Sequence, residues 1–481
     1  MAIKEDLAGI VGAGNVSDDA AILQKYARDY SFVTPRMPSW VVYAKNTAEI
    51  QGVVKYANER KIPVIPRSSG ISFYGAGIPS QGGIILDLTR MNKILEIDPR
   101  NKKVKVEPGV TWAQVQEELD KQGLMVCNPL LPHPQKSVLT SALEREPILI
   151  TKSEYSEVFL TAEMVLANGE LFWTGTAMGK GMKGQNFPDA LIPSTRLFLG
   201  AQGTLGIVTW ANLKAEFLPV KDKLFFITGN DVKDVVEPVY RIQRRMLGNE
   251  CFILNRFNLA AILSEKWPDD FKSLKEALPA WTVVQCLSGL HRLPEEKIDY
   301  EEEALMEVAG ELHIEPQRTV GGIPGLESQL LAMLRKPWSF PAGKDGYWKL
   351  RPKGGCHDVF FHTTLDRAPE FTAAIAQIAA QYGYPTEEIG IYLQPLERAR
   401  ACFCQFSFHC HPEDAKEVEK VRQLYTGASE RALNMGALFT TPYGQWADMV
   451  YSRAATYTAV MKVVKNAFDP NNILNPGKLC F

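Results

Sequence analysis

IPVIPRSSG (Ile62 to Gly70) and GAQGTLGIVT (Gly200 to Thr209) decide the fold. In the first, Ile62-Pro63-Val64-Ile65 reads as a short apolar strand running directly into small residues, where consecutive backbone N–H groups converge on an anion without Cβ obstruction. The second is another Gly-rich loop, this time entering a strand. Neither matches a Walker loop or the dinucleotide fingerprint. Two such loops in one domain suit a ligand with two charged groups to hold, which points to a pyrophosphate and so to a nucleotide cofactor.

The flanking pattern is mixed helix and strand. Asn46 and Glu49 form a capping box ahead of an apolar face of Ile50, Val53, Val54 and Ala57, a helix that leads into the first loop. Ile84 to Leu88 reads as a strand, and KVKVE (Lys103 to Glu107) alternates with the period of a half-buried one. Thr111 and Gln114 make a second capping box, with Gly123 at the position of a left-handed helix stop. Phe159 to Leu166, Asn168-Gly169 and Glu170 to Trp173 give a hairpin. After Pro219 longer amphipathic stretches take over, such as Val232 to Arg245 and Pro369 to Tyr382, separated by a Pro/Gly-rich connector from Ile323 to Gly355. Cys402 to Cys410 reads as a strand, and Pro412 to Met435 and Ser452 to Phe468 as helices. The tail DPNNILNPGKLCF (Asp469 to Phe481) has turn residues at both ends and no helical period, which predicts a segment pinned to the rest.

With 481 residues the chain is long enough for two or three domains. Lys plus Arg number 53 against 55 Asp plus Glu, and without a run of one sign there is no support for a nucleic-acid or polybasic membrane surface. No run of 18 apolar residues occurs. The amino-terminal MAIKEDLAGIVGAG resembles neither a secretory signal nor a transit peptide, and eight irregularly spaced cysteines suit a reducing compartment, so the expectation is a soluble, cytoplasmic protein.

Taken together and in order, IPVIPRSSG, EPGV (Glu107 to Val110), MVLANGE (Met164 to Glu170), GAQGTLGIVT and DPNNILNPGK (Asp469 to Lys478) resemble the FAD-binding oxidoreductases typified by vanillyl-alcohol oxidase and p-cresol methylhydroxylase. The resemblance implies an α+β, two-domain flavoprotein, with a PCMH-type FAD-binding domain and an antiparallel-sheet cap, or substrate, domain. It places the FAD domain at 1–218, the cap at 219–440 and a carboxy-terminal segment returning to the FAD domain at 441–481. It implies FAD contacts from Pro66, Arg67, Ser68, Ser69, Gly70, Ile71, Pro108, Ser137, Ser141, Gly203, Gly206, Ile207, Val208 and Lys478.

SALERE (Ser141 to Glu146) followed by the ANGE hairpin resembles the stretch that sets an acid beside flavin N5, which makes Glu144 that residue, able to take a hydroxyl proton or activate a water. Tyr74 resembles a phenolate-binding tyrosine. Gly70 is followed by Ile71, so the histidyl link made through the first loop in some members is absent. Gly355-Cys356-His357 resembles the cap-domain stretch that carries a histidyl-FAD bond, with His357 as the candidate. Two departures matter. Where phenol oxidisers carry Gly-x-Tyr-Arg, the chain has Gly444-Gln445-Trp446-Ala447, so the phenolate's cation is missing and Trp446 shapes the cavity. The His-x-Gly-Asp-Gly-Asn-x-His metal motif of the D-2-hydroxy-acid branch does not occur.

Cys402, Cys404, His409, Cys410 and His411 do not converge, because on a strand the two histidines face away from the three cysteines, so no metal is expected. The leading expectation is an FAD-dependent oxidase or dehydrogenase taking a hydride from an aromatic or benzylic alcohol, or an alkylphenol-like donor. Glu144, Tyr74 and Trp446 serve the donor, and oxygen, a cytochrome, an electron-transfer flavoprotein or a quinone takes the electrons. The alternatives are a 2-hydroxy-acid dehydrogenase subunit acting on a glycolate-like or D-lactate-like donor, and a non-catalytic flavin-binding protein. Paired subunits are common in the family resembled.

Overall fold

A computed structural model describes residues 2–151, 158–179, 194–339 and 346–481. Three sheets organise it. The first runs Val16–Ser17, Trp40–Tyr43, Ile84–Asp87, Val64–Arg67, the last three parallel. Helices Ala2–Val11 and Thr47–Arg60 accompany it, and Ile50, Val53, Val54 and Ala57 are all buried, as their spacing predicts. Asn46 caps the second helix by accepting from Glu49 N–H (2.9 Å). The reciprocal bond of the expected box falls one residue earlier, with Lys45 N–H donating to Glu49 (2.9 Å).

The second sheet is antiparallel in the order Ile94–Asp98, Lys103–Val106, Ile207–Phe217, Phe159–Val165, Leu171–Trp173, with Leu124–Val126 also on Ile207–Phe217. Its hairpin turns at Gly169 (φ 76°), and the Thr111–Gln114 capping box forms ahead of helix Trp112–Asp120. Register shifts between Val208 and Trp210, where the long strand leaves the second Gly-rich loop.

The third sheet is antiparallel: Lys221–Gly229, Trp281–Gly289, Cys251–Asn255, Gly390–Leu396, Ala401–Cys410, Gly355–Thr363. It carries the largest apolar core, under helices Lys233–Arg244, Ala368–Gln381 and Ala415–Asn434. Cys402, Cys404 and Cys410 are buried in that core. The expected connector from 323 to 355 contains a helix, Leu326–Arg335, which buries Leu330, Met333 and Leu334; residues 340–345 lie outside those described. The expected helix over 452–468 is present as Ala455–Phe468, preceded by a separate short helix, Gln445–Tyr451, that the sequence pattern did not show. Among the described residues no helix is long and apolar enough to cross a membrane.

Candidate active site

Strand Val64–Arg67 delivers Ser68, Ser69 and Gly70 (φ 78°) to a hollow of about 1100 Å³. Its opposite wall is Gly200 to Val208. A Cβ on Gly203 (φ 74°) would sit 2.5 Å from Pro66 Cγ, so the two loops approach as closely as they do only because glycine stands there. Among the described residues no backbone N–H from Ser68 to Tyr74 donates within the chain, and the buried Ser72 Oγ has no partner. Those unspent donors, on half-buried residues, fit an anionic nucleotide such as FAD, whose phosphate oxygens would accept from them.

The loops are braced from behind. Ser137 N–H donates to Ser69 Oγ (3.0 Å), and Ser137 Oγ donates to Pro108 O (2.7 Å) while accepting from Thr140 N–H (3.1 Å). Trp112 Nε1 donates to Ser141 Oγ (2.9 Å). Arg67 is stacked over Tyr26 and donates to Gly70 O (3.2 Å).

A second hollow, about 840 Å³, adjoins the first and reaches under the third sheet. Glu144 and Tyr443 line both. The second hollow's walls are aromatic, with Phe73, Tyr74, Tyr347, Phe360, Tyr392 and Phe403. Tyr74 stacks on Tyr443 (centroids 4.9 Å, 21°) and meets Phe360 edge-on (5.2 Å). Buried Lys136 Nζ donates to Glu144 Oε2 (2.5 Å) and Glu146 Oε1 (2.7 Å), and Lys349 Nζ donates to Asp358 Oδ2 (2.7 Å). With Arg145 the wall therefore holds three cations against three carboxylates. Burial, with the charge of Glu146 beside it, holds the Glu144 carboxyl above the usual carboxylate range despite Lys136. Burial acts on Glu146 too, but Lys136, Ser141 and Lys349 outweigh it and hold that carboxyl below the usual range. Burial raises the phenols of Tyr74 and Tyr443, which stay neutral donors.

Of the residues the sequence pointed to, Pro66, Arg67, Ser68, Gly70, Ile71, Pro108, Gly203, Gly206, Ile207 and Val208 line the first hollow, and Glu144 and Tyr74 the second. Ser69, Ser137 and Ser141 brace the loops instead of lining the space. Lys478 Nζ donates to Gly75 O (2.9 Å), tying the tail to the chain beyond the first loop. Trp446 lines neither hollow, which corrects its expected place at the donor. It is fully buried, donates from Nε1 to Ser429 Oγ (2.8 Å), and packs against Tyr425, Phe360 and Phe439. His357 also stands apart: it stacks on Phe32 (centroids 3.5 Å) in a third hollow that shares only Tyr443 with the cofactor hollow. Sequence reasoning missed Tyr443 and Lys136. Tyr443 adjoins the Gly444-to-Ala447 departure, three residues from the aromatic that was chosen; Lys136 stands in an unpatterned loop with no signal of burial.

Residues 38–175 match the model of the FAD binding domain, and residues 362–479 that of the carboxy-terminal domain of FAD linked oxidases. The chain is 26% identical over 504 residues to the glycolate oxidase subunit GlcD of Bacillus subtilis (strain 168), covering 99% of this chain and 96% of that one. It is 34% identical over 222 residues to the flavoprotein subunit of 4-cresol dehydrogenase [hydroxylating] of Pseudomonas putida, covering 44% of this chain and 41% of that one. The crystal structure of p-cresol methylhydroxylase with substrate bound superposes with a TM-score of 0.81 at 20% identity, covering 99% and 96% of the two chains, so the fold is the same.

Proposed function

The chain is an FAD-linked oxidoreductase of two-domain PCMH-type fold, and from that premise we propose that its donor is an aromatic or benzylic alcohol, or an alkylphenol-like molecule. The single observation that carries this reading is the second hollow. Its walls are aromatic, and its lysines are already matched to carboxylates, Lys136 to two and Lys349 to one. An apolar ring gains by leaving water there, whereas a donor carboxylate would meet charge that is already balanced.

FAD held between the loops Pro66–Ile71 and Gly203–Val208 would supply the hydride-accepting chemistry. Glu144, at the junction of the two hollows, takes the hydroxyl proton that leaves with the hydride. Lys136 fixes the Glu144 carboxylate by a direct bond and keeps its second partner, Glu146, ionised beside it. Tyr74 packs against the donor's ring, and the aromatic wall excludes water.

The second reading, oxidation of a 2-hydroxy acid, is favoured by the likeness to the glycolate oxidase subunit over nearly the whole chain. The two readings differ in whether the donor carries a negative charge. Anaerobic titration of the purified holoprotein separates them. Loss of the oxidised-flavin absorbance with 4-hydroxybenzyl alcohol but not with glycolate or D-lactate is the expected result. The reverse pattern establishes the hydroxy-acid reading, and no bleaching by any of the three leaves a flavin-binding protein without this chemistry.

A further inference from the structure

We infer that Tyr443 is the residue that receives the oxygen on the donor's reacting carbon, so that the donor is selected as an alcohol at that carbon and not through a remote phenolate. The inference rests on the aromatic-donor reading and deepens it. Among the described residues only Glu144 and Tyr443 line both the cofactor hollow and the donor hollow, and the reacting carbon must lie where those two spaces meet. Among the described residues the buried Tyr443 hydroxyl makes no hydrogen bond of full geometry; Glu144 and Thr441 stand near it without closing one, which leaves its proton for a ligand. Such a group costs free energy in the empty site and recovers it when a ligand oxygen accepts its proton.

The ring that carries this hydroxyl is stacked on one face, and the backbone at its root is tied on both sides. Tyr74 stacks on it at 4.9 Å. Gln202 of the second cofactor loop donates from Nε2 to Pro442 O (3.0 Å), and Tyr443 O accepts from Trp446 N–H (2.9 Å) at the start of helix Gln445–Tyr451. Held in this way, the hydroxyl cannot follow a donor that binds elsewhere, and it selects by position. By contrast, His362, Gln405 and Tyr392 line the donor hollow without touching the cofactor hollow, and face the far end of a bound molecule.

In the step this geometry serves, Tyr443 donates to the carbinol oxygen. The O–H proton passes to the Glu144 carboxylate as the carbon–oxygen double bond forms; the electron pair of the C–H bond would leave as hydride, for which FAD held by the two Gly-rich loops would supply the acceptor. The Tyr443 hydrogen bond strengthens as the oxygen gains negative character and remains on the product carbonyl.

The test uses holoprotein and two unreactive probes of similar shape, benzamide and toluene, with binding read from perturbation of the flavin spectrum. Tyr443→Phe should weaken benzamide by about three- to ten-fold, the worth of one neutral hydrogen bond, and leave toluene unchanged. Equal weakening of both probes, or no change in either, overturns the inference. Should the variant lose its FAD, the unmodified protein still decides: the carbonyl stretch of bound benzamide should lie below its position in an apolar solvent, and an unshifted band overturns the inference. Failure of both probes to perturb the flavin of the unmodified protein overturns the aromatic-donor reading and this inference with it. Tight toluene binding with an unshifted benzamide carbonyl removes the role of Tyr443 alone.

Discussion

Glu144 acts as a base only when ionised, and burial beside Glu146 opposes that. Its carboxyl titrates above the usual carboxylate range, so the base form accumulates only as pH rises past that raised value. The acidic limb of kcat/KM should therefore lie above an ordinary carboxylate's range. Glu144→Gln should abolish that limb and lower kcat by about 10²- to 10⁴-fold while FAD stays bound, which steady-state rates across pH will check. A limb that survives in Glu144→Gln belongs to another group. His357 gives a second residue-scale expectation. Burial pushes its imidazole down to about 3, and it packs flat on Phe32 in a hollow apart from the cofactor loops. Acid precipitation should then leave the yellow colour in the supernatant; a yellow pellet that turns colourless in His357→Ala would restore the covalent link. The motif brought Glu144 to notice, and the structure sets it where the two hollows meet. Trp446 was misplaced because aromatic spacing in a sequence does not tell a cavity wall from the packed layer behind it, and the Ser429 and Tyr425 partners that hold it in that layer are distant from it in the chain.

At the scale of elements, the helix at 47–60, the hairpin at Gly169 and the capping box at Thr111 were readable because each is fixed by neighbours in sequence. The helix Leu326–Arg335 was not. Gly321, Gly322 and Gly325 ahead of it carry positive φ and read as loop, while its buried face, Leu330, Met333 and Leu334, acquires meaning only against the core of the third sheet. The two cofactor loops lie between these cases: each is visible alone, but their contact is not. Gly203→Ala tests that contact. Its φ of 74° is costly for alanine, by about 1–2 kcal/mol, and the new methyl meets Pro66 Cγ at 2.5 Å. The first loop must shift, so FAD content per purified chain should fall well below that of the unmodified protein at the same added FAD. An unchanged ratio of flavin to protein absorbance would mean that the loops do not need this approach.

For the molecule as a whole, the question is what joins the end of the chain to the cofactor site near its start. Val64 N–H donates to Ile473 O (2.7 Å) and Asn475 N–H to Val64 O (2.9 Å), so the tail runs alongside the strand that feeds the first loop. Buried Lys465 gathers Thr204 O, Asp469 and Leu474 O around one ammonium, which ties the last helix to the second loop as well. The decisive contact is Asn475. Its Nδ2 donates to both Ala76 O (3.0 Å) and Gln202 O (2.6 Å), one carbonyl beyond the first loop and one within the second, so a single amide group clips the two walls of the cofactor hollow together. Asn475→Asp keeps the shape, removes both donors and sets a carboxylate against two carbonyls in a buried place. Each lost partner costs about 1–3 kcal/mol, and the walls relax apart if the clip carries the load. FAD affinity should fall by at least ten-fold, about 1.4 kcal/mol, and the thermal midpoint of the holoprotein should drop and then recover partway as FAD is added in excess, because a ligand that binds only the folded chain stabilises it by mass action. A lower midpoint that FAD cannot lift, with affinity unchanged, would assign Asn475 to the folding of the tail alone and leave the hollow's walls to be held by Gly203 and Pro66.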